Sequence, residues 1–203
     1  MDAARGDYPS MARLALALYE AGHSPREVIR ECYGVGFPSE FFIVADAAPK
    51  LMFQYTVRPW MLARPLDRGG PLQTDAPMDS LDGKVLARDP DLVPLGWCLG
   101  EDEGTDDEQG LANQILCYRR SELEVGRSTI FGIDFSADQE DPITPRGDSL
   151  LAALLKHHVA NADWVRWERR RTAGHSGGGL DDEDVQVANQ YVTIIEELLR
   201  QVA

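Results

Sequence analysis

The chain has 203 residues and carries 34 Asp and Glu against 20 Lys and Arg, a formal net charge of -14 with its four histidines neutral. A field of that sign repels nucleic-acid phosphate and anionic lipid and attracts cations and basic proteins, so direct nucleic-acid binding is not expected. Hydrophobic residues at 43% and charged residues at 27% are the balance of a globular domain large enough to bury a core.

Apolar runs such as FFIVADAA are far too short to cross a bilayer, and no membrane association is expected. MDAARGDYPS has neither the basic n-region nor the apolar h-region of a secretory signal. Cys32, Cys98 and Cys117 are odd in number and widely spaced, which argues against a disulfide framework and for reduced thiols in a cytoplasm.

In chain order, a first helix is predicted from about Pro9 to Ala21, with Met11, Leu14, Leu18 and Tyr19 on one face and Gly22 ending it. Ser24-Pro25-Arg26-Glu27 opens a second, with Ser24 as N-cap, Pro25 at the first helical position and Glu27 closing a capping box. Val28, Ile29, Cys32 and Tyr33 form its buried side, and Gly34 and Gly36 break it. Pro38 starts a third short helix through Phe41, Phe42 and Ala45.

The middle changes character. Leu51 to Val57 is strand-like, Arg64 to Pro77 is a Gly, Pro and Asp-rich loop, and Leu81 to Ala87 reads equally as a short helix or a strand. A strand is predicted from about Leu92 to Leu99, with Pro94 imposing an edge position or a bulge. NQILCYRR is a further strand, SELE (Ser121 to Glu124) a second capping-box pattern, and STIFGIDFS alternates as a half-buried strand. The connections are too short for helical crossovers, so these segments make an antiparallel sheet of roughly four to six strands.

The last third is helical. Asp148 is the candidate N-cap of a helix carrying Leu150, Leu151, Leu154, Leu155, His158, Ala162 and Val165 on one face, with Arg169, Arg170 and Arg171 at its end. AGHSGGG begins a Gly-rich linker over residues 173–180. A final helix over 181–203 carries Ala188, Tyr191, Val192, Ile195, Leu198, Leu199 and Val202, a stripe that requires a partner surface in the chain's own core or in another subunit. The expected organisation is one α+β domain over 1–172 with N-terminal helices, the linker, and that helix.

Candidate chemistry begins with GEDEGTDDEQG, which holds Glu101, Asp102, Glu103, Asp106, Asp107 and Glu108. It is a docking site for a basic protein, a weak divalent-cation site, or a solvated loop. It lacks the ligand alternation of an EF-hand. His157 and His158 are adjacent and so point about 100° apart on a helix, while His23 and His175 stand far from both. No zinc-site spacing results, and no metal or cofactor is expected. The cysteines read as small buried hydrophobes. Trp164 and Trp167 are neighbours near the basic end of their helix, and Trp97 borders the acidic loop. There is no catalytic triad order, P-loop or dinucleotide fingerprint, so no catalytic residue is assigned.

The succession of YGVGFPSEFF, DLVPLGWCLGEDEG, ILCYRR, STIFGIDF and GDSLLAALLKHH resembles the SUKH superfamily over roughly Ser24 to His158. Pro38, Glu40 and Phe41 occupy its helix start of a proline, an acidic residue and an aromatic. ADAAPK stands where members commonly carry Asn-Gly, and the first helix and the segment beyond Ala160 lie outside the usual domain. The resemblance implies an α+β domain with a bent sheet that binds proteins, many relatives being similar to immunity proteins that neutralise toxins, often nucleases.

The expectation is therefore a non-enzymatic protein-binding module, an immunity protein whose acidic loop and Trp97 meet a basic, nuclease-like toxin. One alternative is an enzyme or metal-binding protein whose site assembles only in the fold. The other is a structural subunit, including a homo-oligomer, paired through the C-terminal helix.

Overall fold

A computed structural model of the chain describes residues 7–47, 55–56, 58–71, 79–98, 114–134, 143–172 and 180–202. Three helices come first: α1 (Tyr8–Glu20), α2 (Pro25–Tyr33) and α3 (Ser39–Asp46). Then follow β1 (Tyr55–Thr56), α4 (Arg58–Leu62), a 3-10 turn (Leu66–Arg68), α5 (Asp79–Arg88), β2 (Leu92–Cys98), β3 (Gln114–Arg119), α6 (Arg120–Glu124), β4 (Ile130–Asp134) and β5 (Thr144–Gly147). Two long helices end the description, α7 (Leu150–Thr172) and α8 (Asp182–Val202). The class is α+β. The five strands form an antiparallel meander in the order β1-β2-β3-β4-β5.

Helices cover the sheet on both faces. Val93, Leu95, Leu116, Tyr118 and Ile130 join the main core with side chains of α1, α2, α3, α4, α7 and α8. On the opposite face Leu92, Ile115, Cys117 and Ile133 pack with Val85 of α5 and with Ile143. This arrangement explains why β3 is buried along nearly its whole length, and it corrects the reading of β4 as half-buried. Ile130 points to one core and Ile133 to the other, both essentially inaccessible. Leu81 to Ala87 is helical within α5, the element that supplies the second cover.

Pro94 has no N–H to give the ladder. Register shifts between Pro94 and Gly96, leaving Leu95 as the bulged residue. The Trp60 indole N–H takes up the Leu95 carbonyl, so the irregularity in β2 is what anchors α4. Of the strand read over Leu51 to Val57, Tyr55 and Thr56 are in β1 and the rest lies outside the described residues.

Helix ends show how far local patterns reach. At α2 the capping box forms as read. Glu27 N–H donates to Ser24 Oγ at 3.4 Å, and Ser24 N–H donates to Glu27 Oε2 at 2.8 Å. Gly34 closes the helix in the left-handed conformation at φ 70°, which L residues avoid. At SELE the pattern is present but the box does not form. Asp91 instead accepts from the Ser121 N–H at 3.1 Å and from its hydroxyl at 2.5 Å.

At α7 the cap is Ser149 rather than Asp148: the Ala152 N–H donates to Ser149 Oγ at 3.2 Å. The two preceding N–H groups, of Leu150 and Leu151, donate to the Glu40 carboxylate at 2.8 and 3.4 Å. Glu40 is 5% exposed, so the acidic residue of the PSEFF segment is a buried cap for a helix 110 positions away in sequence.

Most of the α8 stripe is satisfied within the chain, Val202 near its end remaining exposed. Ile195 and Leu198 belong to the main core. Ala188 packs with Ala162 and Val165 of α7, flanked by Trp164, Leu180, Val185 and Val192. Residues 173–179 of the expected linker lie outside the described residues.

Candidate binding groove

Glu101, Asp102, Glu103, Asp106, Asp107 and Glu108 lie outside the described residues. Their segment, residues 99–113, joins β2 to β3, and its two ends are neighbours through the Cys98↔Gln114 pairing. Trp97 sits in β2 between Tyr55 and Ile115; its side chain is outside the described set.

His175 lies outside the described residues, and among the others His23 stands apart from the adjacent His157 and His158. His23 is exposed, 3.8 Å from Glu27. His157 packs edge-on against His158 with centroids 5.0 Å apart, and His158 stacks on Tyr191 of α8 at 5.1 Å. Among the described residues no group of three or more His, Cys, Asp or Glu is placed to hold a metal ion.

Burial, reinforced by His158, pushes the His157 imidazole down to about 4. The unfolded chain takes up a proton near the ordinary histidine value of about 6.5, while the folded chain resists until about 4. Proton uptake in that window favours the unfolded state, so stability is lost as pH falls. The expected loss is on the order of 2–3 kcal/mol between about pH 7 and about pH 4.5. Urea midpoints of the wild type and of His157→Gln check this, the variant lacking that share of the slope.

Cys32 and Cys117 are buried. Burial, with Glu31 second, pushes the Cys32 thiol up to about 12, far from a reactive thiolate. Tyr19, raised by burial with Cys32 second, donates to the Leu62 carbonyl at 3.0 Å and ties α1 to α4. Tyr118 is raised well above the ordinary phenol value by full burial and then by the Glu40 charge. Trp164 is packed within the α7–α8 pair, whereas Trp167 is 52% exposed with the Arg171 guanidinium over its ring. Apart from Trp167, these groups are packed into the fold.

A concave feature does stand out. A groove of about 960 Å³ opens between the first turn of α2, the second half of α3, α4 with the turn after it, and the last turns of α8. Trp60, Phe42, Ile43, Met61 and Leu198 give it an apolar lining. The floor is stiffened from below. Phe41, fully buried, stacks on Trp60 at 4.3 Å and meets Phe42 edge-on at 5.1 Å.

Arg26, Arg64 and Arg68 line the same groove, against a single acid, Asp46. Arg26 lies over the Phe42 ring at 4.5 Å, an attraction that holds the guanidinium above the floor. Arg68 pairs with Asp46. Arg64 folds back over Gly69, where an added Cβ would come within 3.1 Å of its Nη2. The Ser24 hydroxyl in the wall is committed to the α2 cap.

Chemically, such a surface can seat large apolar side chains and meet carboxylates at its rim. Its residues come from Ser24 to Gln201, and no local pattern collects them. One sequence signal was available: Arg26 stands in the first turn of α2, where the helix dipole disfavours positive charge.

No family model, characterised protein or solved structure matches the chain.

Proposed function

We propose that the chain is a protein-binding module whose acidic field captures a basic protein, in its most specific form an immunity-type neutraliser of a nuclease-like toxin. The observation that carries this reading is the concentration of charge in one short stretch of sequence: six carboxylates lie between Glu101 and Glu108, and a dense acidic run of that kind is a natural docking element for a basic partner. The net charge of -14 acts in the same direction. The resemblance of the strand succession to SUKH domains supports the choice of partner class. Nuclease surfaces are basic because they hold phosphate, and occlusion guided by charge suits such a target.

The test is to retain a partner from source lysate on the immobilised chain at low salt, identify it, and follow association by stopped flow. Converting the six loop carboxylates to their amides is expected to slow association about tenfold or more at low salt and to flatten its salt dependence. An unchanged rate for the neutralised variant would sink the proposal.

A further inference from the structure

We infer that the groove between α2, α3, α4 and α8 is a second docking surface, built for an acidic amphipathic segment of another protein. It does not rest on the acidic-loop reading, since the two surfaces have opposite sign. Among the described residues the groove lining holds three arginines and one aspartate, a local charge of +2 in a chain whose total is -14. Among the described residues Arg68 pairs with Asp46, while neither Arg26 nor Arg64 pairs with a carboxylate. Other surface arginines, Arg13 and Arg200 among them, also lack a carboxylate partner among the described residues; what sets Arg26 and Arg64 apart is that they border an apolar groove, where the planar fork of arginine can take a carboxylate from outside in bidentate fashion.

The shape narrows the occupant. Phe42, Ile43 and Met61 are only half-buried, and the rim residues Arg26, Arg64 and Arg68 are exposed. A small ligand normally has most of its surface enclosed, and the described residues leave one side of this groove open. A helix laid into a groove covers a floor of this kind with side chains one turn apart and reaches the rim with those beside them. Among the described residues a second copy of the chain offers no such free segment: most of the apolar stripe of α8 is packed in cis, and GEDEGTDDEQG itself contains no large apolar side chain.

Fluorescence anisotropy on the full chain tests this with labelled peptides of about four helical turns. The first carries Leu and Phe at helical spacing with Glu elsewhere; the second has Lys for each Glu; the third has Ser for each apolar residue. The Glu peptide is expected to bind and the other two to fail. Arg26→Glu combined with Arg64→Glu should weaken its Kd about tenfold or more, with an unchanged thermal midpoint because both side chains are at the surface. Met61→Ser should weaken it independently of salt. Equal binding of the Glu and Lys peptides, or wild-type affinity in the double arginine variant, overturns the inference. So does saturation of the groove by decanoate as tightly as by the peptide, which would make it a small-ligand site. A wild-type dimer that the arginine variant abolishes would assign the groove to a second copy, and the inference would fall.

Discussion

Glu40→Ala is expected to lower the stability of the fold by about 3 kcal/mol, read as a lower urea midpoint and a thermal midpoint reduced by roughly 6–12 °C. The Glu40 carboxylate is nearly inaccessible and accepts from the N–H groups of Leu150 and Leu151. Those donors lead a helix of 23 residues, whose positive end also favours a negative charge. Alanine removes the acceptor and leaves two N–H groups without a partner in a site where water has little access, so the desolvation of those groups is felt in full. Glu40→Gln keeps one acceptor oxygen and close to the same volume, and is expected to cost about half as much. If Glu40→Ala were as stable as the wild type, the cap would contribute nothing and α7 would be held by its apolar face alone.

Phe41→Ala is expected to cost about 4 kcal/mol. Phe41 is fully buried, stacked on Trp60 and edge-on to Phe37 at 4.9 Å and to Phe42 at 5.1 Å. Truncation leaves a ring-sized void among side chains that are themselves fixed, and such sites relax little. Phe41→Leu refills most of the volume and should lose about 1–2 kcal/mol. Denaturant unfolding gives both values, and an unchanged m-value would mark the effect as one on the native state. Because Trp60 and Phe42 line the groove, the alanine variant should also bind the Glu peptide more weakly than the leucine variant. Stability and recognition share this one ring.

Neighbouring residues of a single segment thus divide the work: Glu40 reaches into the core to α7 while Phe42 turns toward the groove. How much of this the sequence discloses depends on how local each interaction is. The box at Ser24 and Glu27 spans three positions and formed as read, as did the buried face of Val28, Ile29, Cys32 and Tyr33. The same spacing at Ser121 and Glu124 does fall in a helical turn, α6, but without the box, because Asp91, thirty positions earlier, holds Ser121 instead. The start of α7 was placed one residue early for a related reason: Ser149 and the distant Glu40 divide the first three N–H groups between them.

Strand β5 went unread because Thr-Pro-Arg-Gly has no apolar alternation and owes its conformation to pairing with β4. Double coverage of the sheet was hidden until α5 resolved as a helix, since a buried strand and a half-buried one differ only in what lies on the second face. The apolar stripe of α8 was plain; that it closes on α7 and α3 is tertiary information. The groove was least visible of all, being an assembly of four helical regions far apart in the chain.

The borders of the meander have a bearing on how the molecule behaves when concentrated. At one margin the described residues of β1 are Tyr55 and Thr56, paired inward with Trp97 and Gly96. At the other, β5 presents Pro145 and Arg146 and lies so close to α7 that a Cβ on Gly147 would come within 3.2 Å of the Ala153 Cβ. A proline and a cation make that second border a poor template for a further strand. Two molecules approaching there would also bring together chains of -14 each. Open-ended fibre growth from the β5 margin is thereby disfavoured, by backbone chemistry before charge enters.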